Sequence, residues 1–140
     1  MTLPKYLALA IVTPDHSVVN ERVDEVQIPG GQGSFGVLPG HTPLLATLQV
    51  GELWYRKGRE TFYVAVSFGF AEVLPDRVTI LARIAESAED IDVTRAEDAE
   101  QRARDRLGLR TPDVDFERAR LALLRSLIRL QVASRNRVRG

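Results

Sequence analysis

The 140-residue chain contains no cysteine, which excludes disulfide bonds and thiolate metal sites and is compatible with a reducing compartment. Its longest apolar run, residues 6–12, is far shorter than the ~20 residues of a membrane-spanning helix. The N-terminus has one lysine and no cleavage-like site, so a secretory signal is not expected. Basic and acidic residues balance at 19 each, so net charge indicates neither nucleic acid nor an anionic membrane as a partner. We expect a soluble, cytosolic protein.

Glycine and proline are scarce in the last third of the chain. Eight of the ten glycines and six of the seven prolines lie in residues 1–87, whereas residues 88–140 hold twelve of the nineteen basic residues. This change in composition predicts two parts, residues 1–87 and residues 88–140.

The first part has the alternation of β-strands. Large apolar residues recur with period two, which places them on one face of a sheet: Phe62, Val64, Val66, Phe68 and Phe70, then Val78, Ile80, Ala82 and Ile84. Turn residues separate these runs, as at Lys57-Gly58 and Pro75-Asp76. About eight to ten strands at this spacing indicate a sandwich or barrel. No segment before Ser87 has the helical periodicity of a crossover, which disfavours a parallel α/β sheet.

The second part has the periodicity of two helices joined by a short connection. Asp92 is placed to cap the first helix, and Gly108 and Pro112 end it. Asp113 or Asp115 opens the second helix. The predicted apolar positions are Val93, Ala96, Ala99, Ala103 and Leu107 in the first helix, and Phe116, Ala119, Ala122, Leu123, Leu127, Leu130 and Ala133 in the second. The alanine-rich first helix predicts a hairpin held weakly against its neighbour.

Catalytic and metal motifs are absent or in the wrong context. A formal GxGxxG match at Gly31, Gly33 and Gly36 is followed by two prolines, so it cannot open a dinucleotide-binding helix. The two histidines, His16 and His41, lack the spacing of zinc ligands. Ser67 and Ser87 lack a nearby histidine, and the carboxylates near residue 90 lack apolar shielding. We expect no catalytic residue and no metal site.

Arginine is the residue type that points to a ligand. Arg95 and Arg102 are seven residues apart on one helix face, and Arg125 and Arg129 form an i, i+4 pair. In a hairpin the two faces can converge, and their guanidinium groups are then suited to bind a polyphosphate. The alternative is that these arginines lie on solvent-exposed helix faces and only make the helices soluble. From Arg110 onward the chain has eight basic residues and three acidic ones. Such a segment is suited to bind an acidic protein surface, a nucleic-acid backbone or an anionic membrane.

Four ordered motifs resemble a known family. They are Gly36-Val37-Leu38-Pro39-Gly40-His41-Thr42-Pro43-Leu44-Leu45, Ser67-Phe68-Gly69-Phe70-Ala71-Glu72-Val73, Val78-Thr79-Ile80-Leu81-Ala82 and Asp90-Ile91-Asp92-Val93-Thr94-Arg95-Ala96. Across about residues 6–135 the chain resembles the epsilon subunit of bacterial F-type ATP synthase. The resemblance implies a ten-stranded β-sandwich followed by an antiparallel two-helix hairpin.

The resemblance also implies a non-catalytic rotor subunit that couples proton flow to ATP synthesis. Its sandwich would bind the gamma subunit and stand on the c-ring through a turn carrying Ser34 and His41. Its hairpin, when extended, would enter the head of alpha and beta subunits and inhibit ATP hydrolysis. As continuous helix, residues 88–140 would reach about 80 Å. The expected location is peripheral, on the cytoplasmic face of the bacterial inner membrane, without membrane insertion and without nucleic acid.

Some members of this family bind ATP between the folded helices as a regulatory ligand. The residues that match their motif and its partner positions are Glu86, Asp92, Arg95, Ala96, Arg102, Arg125 and Arg129. No obligatory cofactor is implied. A free-standing ATP sensor is the alternative function, and a nucleic-acid adaptor that uses the basic C-terminus is a more remote one.

Overall fold

The computed structural model describes residues 3–109 and 111–139, with side chains described as far as residue 135. The basic side chains predicted beyond that point, Arg137 and Arg139, lie outside the described part, as does Arg110. The described residues form eight strands: β1 (Leu7–Val12), β2 (Ser17–Val23), β3 (Glu25–Gly30), β4 (Gly33–Val37), β5 (Leu44–Leu48), β6 (Gly51–Lys57), β7 (Glu60–Leu74) and β8 (Arg77–Ser87). A 3-10 turn at Ala88–Asp90 precedes α1 (Val93–Gly108) and α2 (Phe116–Arg139).

Two long strands, β7 and β8, form a ribbon that runs through both layers of the sandwich. The start of β7 pairs with β6 and its end pairs with β5. Both pairings share the same register, and only the residues between Leu48 and Gly51 are unpaired. β8 follows β7 along its length and pairs in parallel with β1 at its own start. One layer therefore contains β2, β1, β5 and one half of the ribbon, and we call it layer 1. Layer 2 contains β4, β3, β6 and the other half.

The prediction of ten strands is wrong for the described residues, which form eight. The 15-residue β7 and the 11-residue β8 each supply a segment to both layers. Each of these two strands is therefore counted twice when strands are counted layer by layer, which gives two more segments than the number of continuous strands. The sheet also contains one parallel pair, β1 with β8, so it is mixed rather than purely antiparallel.

The ribbon bends at Phe68 and Gly69, and the bend reverses which side chains face the core. Both residues have positive φ, 50° for Phe68 and 136° for Gly69. Before the bend the residues of β7 that face the core between the layers have even numbers, and after it they have odd numbers, as with Val66 and Ala71. The prediction of a single apolar face is therefore wrong at Phe70, which is 53% exposed. β8 reverses in the same way, so Ala82 is buried and Ile84 is exposed.

The core lies between the two layers and is built from aliphatic residues of both. Its fully buried members include Leu9 and Ile80 from layer 1 and Ile28 and Leu53 from layer 2. Alternation along each strand sends these side chains inward, as the period-two pattern predicts for β8 up to Ala82. This continuous core fixes the outer face of layer 2, on which the helices lie.

The two helices begin at residues that the sequence identified. The carboxylate of Asp92 accepts a hydrogen bond from the backbone N–H of Arg95 at 3.1 Å, and Asp115 accepts one from Arg118 at the same distance. The prediction that Asp92 caps α1 is confirmed, and Asp115 rather than Asp113 caps α2. Val132 and Ala133 of α2 then pack with Ala65 and Ile91 in a second apolar cluster.

The buried face of α2 differs in part from the predicted one, although Ala119 and Ala133 are buried as predicted. The helix buries its small residues, with Ala119 and Ser126 3% and 2% exposed, while Phe116 and Leu127 are 44% and 38% exposed. The cause is close packing: α1 presents Ala96 and Ala103 as its buried residues, and small side chains allow α2 to approach it. The hairpin is therefore held through small residues and leaves larger apolar ones in solvent.

Gly69→Ala should lower the free energy of unfolding by more than about 3 kcal/mol, because a Cβ there would overlap the carbonyl oxygen of Leu81 and the φ is unfavourable. Gly58→Ala is the matched control, since its φ is 62° but nothing lies within 4 Å. It should cost only about 1–2 kcal/mol. Urea unfolding measures both, and equal losses would contradict the close approach at Gly69.

Candidate functional site

The space between the hairpin and layer 2 contains a cavity of about 390 Å³, which we call the first cavity. Strands β7 and β8 form its floor, and α1 and α2 form its walls. Its lining combines apolar residues with charged ones: Val50, Ala65, Val66, Ser67, Ile84, Glu86, Arg95, Ala99, Ala122, Arg125, Ser126, Ile128 and Arg129. The structure thus brings together four of the seven predicted ATP-binding residues, namely Glu86, Arg95, Arg125 and Arg129.

A pair of hydrogen bonds joins Glu86 of β8 to Arg129 of α2. Nε of Arg129 donates to Oε1 of Glu86 at 2.7 Å, and its second contact, Nη2 to Oε2, is 3.3 Å. Both side chains are largely buried, at 27% and 22% exposure. Among the described residues no carboxylate pairs with Arg95 or Arg125, so the cavity holds one neutralised guanidinium and two uncompensated ones.

The other three predicted residues lie outside the lining. Asp92 is the N-cap of α1, so its carboxylate is engaged by the backbone. Ala96 is fully buried, and any larger residue there would separate α1 from its neighbour. Arg102 is exposed and does not line the first cavity. Their assignment to a ligand site stays a prediction.

Chemically, the first cavity is suited to binding rather than to reaction. Its walls are largely apolar, and the guanidiniums of Arg95 and Arg125 can donate hydrogen bonds to the oxygens of an anion. Among the described residues, no group of three His, Asp or Glu side chains is placed to hold a metal ion. Nor is any helix in the described part both long and apolar enough to cross a membrane.

A second contact between α2 and layer 2 was missed in the sequence. Arg135 donates two hydrogen bonds to Glu52 of β6, at 3.1 and 3.2 Å, and its guanidinium carbon lies 5.2 Å from the ring centre of Tyr63. The hydrogen bond and the charge of Glu52 raise the pKa of Arg135 above its ordinary value. The partners are 83 residues apart, so no local pattern could have revealed them.

The structure separates the two residues predicted to share a c-ring-binding turn. Ser34 lies in β4 opposite Pro29 of β3, where it lines a polar cavity of about 470 Å³ together with Trp54 and with Gln131 of α2. His41 lies beyond the other end of β4, and its Nδ1 is 2.6 Å from the carbonyl oxygen of Thr42. The prediction of a single turn is therefore wrong for this pair, whereas a role in contacting another subunit stays a prediction.

Fold and site define a two-part protein in which a helical hairpin closes a ligand-sized cavity on the outer face of a β-sandwich. Family models match both parts. The β-sandwich domain of the ATP synthase delta/epsilon chain matches residues 6–88, and the long α-helix domain of the same chain matches residues 89–134. The chain belongs to the delta/epsilon family of ATP synthase subunits, which confirms the resemblance read from the sequence. It is of the epsilon type and non-catalytic.

Relatives in the same family match nearly the whole chain. An ATP synthase epsilon chain of Syntrophotalea carbinolica is 51% identical over 130 residues, covering 92% of this chain and 94% of its own length. That of Nitratidesulfovibrio vulgaris is 50% identical, covering 93% and 97%. Among solved structures, a chain of the Euglena gracilis mitochondrial ATP synthase superposes with a TM-score of 0.81 at 26% identity, covering 96% of this chain and 84% of that one.

A double-mutant cycle of Glu86→Gln and Arg129→Gln should give a coupling energy of about 1–2 kcal/mol, because both charges are shielded from water. The matched control is the i, i+3 pair of Arg120 with Glu117, whose side chains are 70% and 73% exposed. Its coupling should stay below about 0.5 kcal/mol. Chemical denaturation measures both cycles, and equal couplings would contradict a specific role for the buried pair.

Proposed function

We propose that the chain is the epsilon-type rotor subunit of a proton-translocating ATP synthase, with its sandwich bound to the gamma subunit and the c-ring. The observation that carries this is the match of both domains and of relatives across nearly the full length. The similar Euglena chain comes from a complex of OSCP, F1 and c-ring, which supports the same assembly here. The subunit would then lie peripherally on the cytoplasmic face of the inner membrane.

Residues 88–140 are the proposed regulatory part, which inhibits ATP hydrolysis when the hairpin leaves the sandwich and meets the alpha and beta subunits. The packing of the hairpin supports this, because a small apolar cluster and two Arg–Glu contacts hold α2 to layer 2. Such a contact need differ from a competing one by only a few kcal/mol to act as a switch. Residues 1–87 are the proposed docking part, and this division remains a prediction.

ATP is the proposed regulatory ligand of the folded hairpin. The first cavity supports the proposal because it joins apolar walls to two unpaired guanidiniums from different helices. A ligand that spans α1 and α2 stabilises the folded hairpin, by about 2.7 kcal/mol at a hundredfold excess over Kd. The same cavity is compatible with a free-standing ATP sensor, and co-purification with the other ATP synthase subunits separates the two functions.

On the isolated subunit, titration calorimetry should detect ATP binding that Arg125→Ala weakens at least tenfold, since a charge-assisted contact contributes about 1.5–3 kcal/mol. Arg106→Ala is the matched control, because Arg106 is in the last turn of α1 and outside the cavity lining. Its effect should be less than twofold. Absence of binding at millimolar ATP would reject the proposal that ATP is a regulatory ligand, and it would not affect the assignment as a rotor subunit.

Glu52→Gln should strengthen inhibition of ATP hydrolysis in the assembled enzyme, because it removes the negative charge and one of the two acceptor oxygens that hold Arg135 while leaving the hairpin sequence intact. Glu25→Gln is the matched control, since Glu25 pairs with Arg56 inside the sandwich. We expect the initial hydrolysis rate to fall at least twofold with Glu52→Gln and to be unchanged with Glu25→Gln. An unchanged rate in both would contradict an inhibitory release of α2.

A further inference from the structure

The polar cavity that Ser34 lines is formed by the sandwich and the hairpin together. Layer 2 supplies one wall, from β3, β4, β6 and the β5–β6 connection, and Gln131 of α2 supplies the other. Among the described lining residues, Val50 alone also lines the first cavity, so the two cavities are separate. The described lining residues of the polar cavity are Gln27, Pro29, Gly30, Gly33, Ser34, Gln49, Val50, Gly51, Glu52, Trp54 and Gln131.

The lining of the polar cavity is rich in hydrogen-bonding groups and almost uncharged. Three glutamines line it from separate segments, Gln27 on β3, Gln49 in the β5–β6 connection and Gln131 on α2. Each side-chain amide has two donor hydrogens and one acceptor oxygen. Glu52 is the one charged residue among the described lining residues, and it is paired with Arg135 at 3.1 Å. Such a lining is matched to a neutral peptide loop, whose backbone has both donors and acceptors, rather than to an ion.

The sandwich wall of the polar cavity is held in place by contacts within the sandwich. A Cβ added to Gly51 would lie 2.7 Å from the Cβ of Pro29, so the two segments approach each other closely. The backbone N–H of Gln49 donates to the carbonyl oxygen of Pro29 at 3.0 Å, and its side-chain amide donates to that of Gly31 at 2.9 Å. This wall does not rely on the hairpin for its shape, so a partner meets a preorganised surface.

Gln131 makes the complete cavity depend on the position of the hairpin. It lies one helical turn before Arg135, whose two hydrogen bonds to Glu52 hold this part of α2 over β6. A segment that contacts both Gln131 and the sandwich wall therefore makes its full set of contacts only while α2 is docked. Because coupling between two equilibria is reciprocal, such a segment also stabilises the docked hairpin.

We propose that the polar cavity is a composite docking site for a neutral polar loop of the c-ring, in which α2 supplies part of the contact. This rests on the proposed function, in which the sandwich stands on the c-ring, and it adds a role for the hairpin in that contact. Ser34 connects the two, because the residue expected to meet the c-ring lines the same cavity as Gln131. The c-ring then holds the hairpin on the sandwich and opposes its inhibitory release.

The first experiment measures disulfide formation in the assembled enzyme, which the absence of native cysteine in this chain makes specific. Every ring subunit carries one introduced cysteine in its polar loop, and this chain carries either Ser34→Cys or Gln131→Cys, both at exposed positions. We expect both to cross-link to the ring after mild oxidation. Gln101→Cys is the matched control, because Gln101 pairs with Asp105 on α1 outside the cavity lining, and it should not cross-link.

The cross-linking outcomes separate this inference from the proposed function. If Ser34→Cys cross-links to the ring and Gln131→Cys does not, α2 takes no part in the contact, which overturns the inference and leaves the proposed function intact. If neither variant cross-links, the inference is overturned and the proposed ring contact at this surface fails with it. Equal cross-linking by Gln131→Cys and the Gln101→Cys control would also overturn the inference, because the contact would not be specific to the cavity.

The second experiment compares ATP hydrolysis by the complete enzyme with hydrolysis by the same complex without its ring. Gln131→Ala should lower the rate of the complete enzyme by about twofold or more, because it weakens the contact that couples the ring to the docked hairpin. It should leave the rate of the ring-free complex unchanged, and Gln101→Ala should change neither rate. A fall of equal size with and without the ring, or no change in either complex, would overturn the proposal.

Discussion

The bend of the β7–β8 ribbon is the constraint on which the rest of the molecule depends. Gly69 passes so close to the carbonyl of Leu81 that no side chain fits, and Phe68 beside it also has a positive φ. The bend lets one pair of strands serve both layers, and it turns Ser67 and Ile84 to the outer face. The floor of the first cavity, beneath the hairpin, is therefore a direct result of the bend that closes the sandwich.

The hairpin is attached to this floor by contacts of a different kind from those in the core. The sandwich core is aliphatic and continuous, whereas α1 and α2 bury mainly alanine, serine and a few larger residues. Two Arg–Glu contacts, from Arg129 and Arg135, add directional attraction between α2 and layer 2. Because salt screens ion pairs but does not screen aliphatic packing, a change in ionic strength acts more on the attachment of the hairpin than on the core of the sandwich.

Much of the fold could be predicted from local patterns. Period-two alternation identified β8 up to Ala82, and the cap at Asp92 placed the start of α1. The errors arose where a distant contact decides the outcome. Phe70 faces solvent because of a backbone bend before it, and Phe116 and Leu127 are exposed because the buried residues that α1 offers to α2 are alanines.

Some residues of the candidate site could likewise be predicted from the sequence, whereas others depend on how the hairpin packs on the sandwich. Residue type and spacing selected Arg95, Arg125 and Arg129, and the family resemblance selected Glu86. The fold brings all four to one cavity. Arg102 matches the motif equally well but lies outside the lining, because the position of a helix face relative to a sheet is a property of the docked hairpin. Glu52 has no motif at all, and only the packing of α2 on β6 brings Arg135 to it.

Trp54 allows the position of α2 to be followed by fluorescence. It is the one tryptophan of the chain, and it lines the same polar cavity as Gln131 of α2. Departure of the helix would expose the indole to more water, so the emission wavelength of the unlabelled protein reports on the hairpin itself. Since the chain has no cysteine, a single introduced thiol on α2 would carry an acceptor dye at a unique site. The molecule thus combines a natural donor on its sandwich with a freely chosen acceptor position on its hairpin.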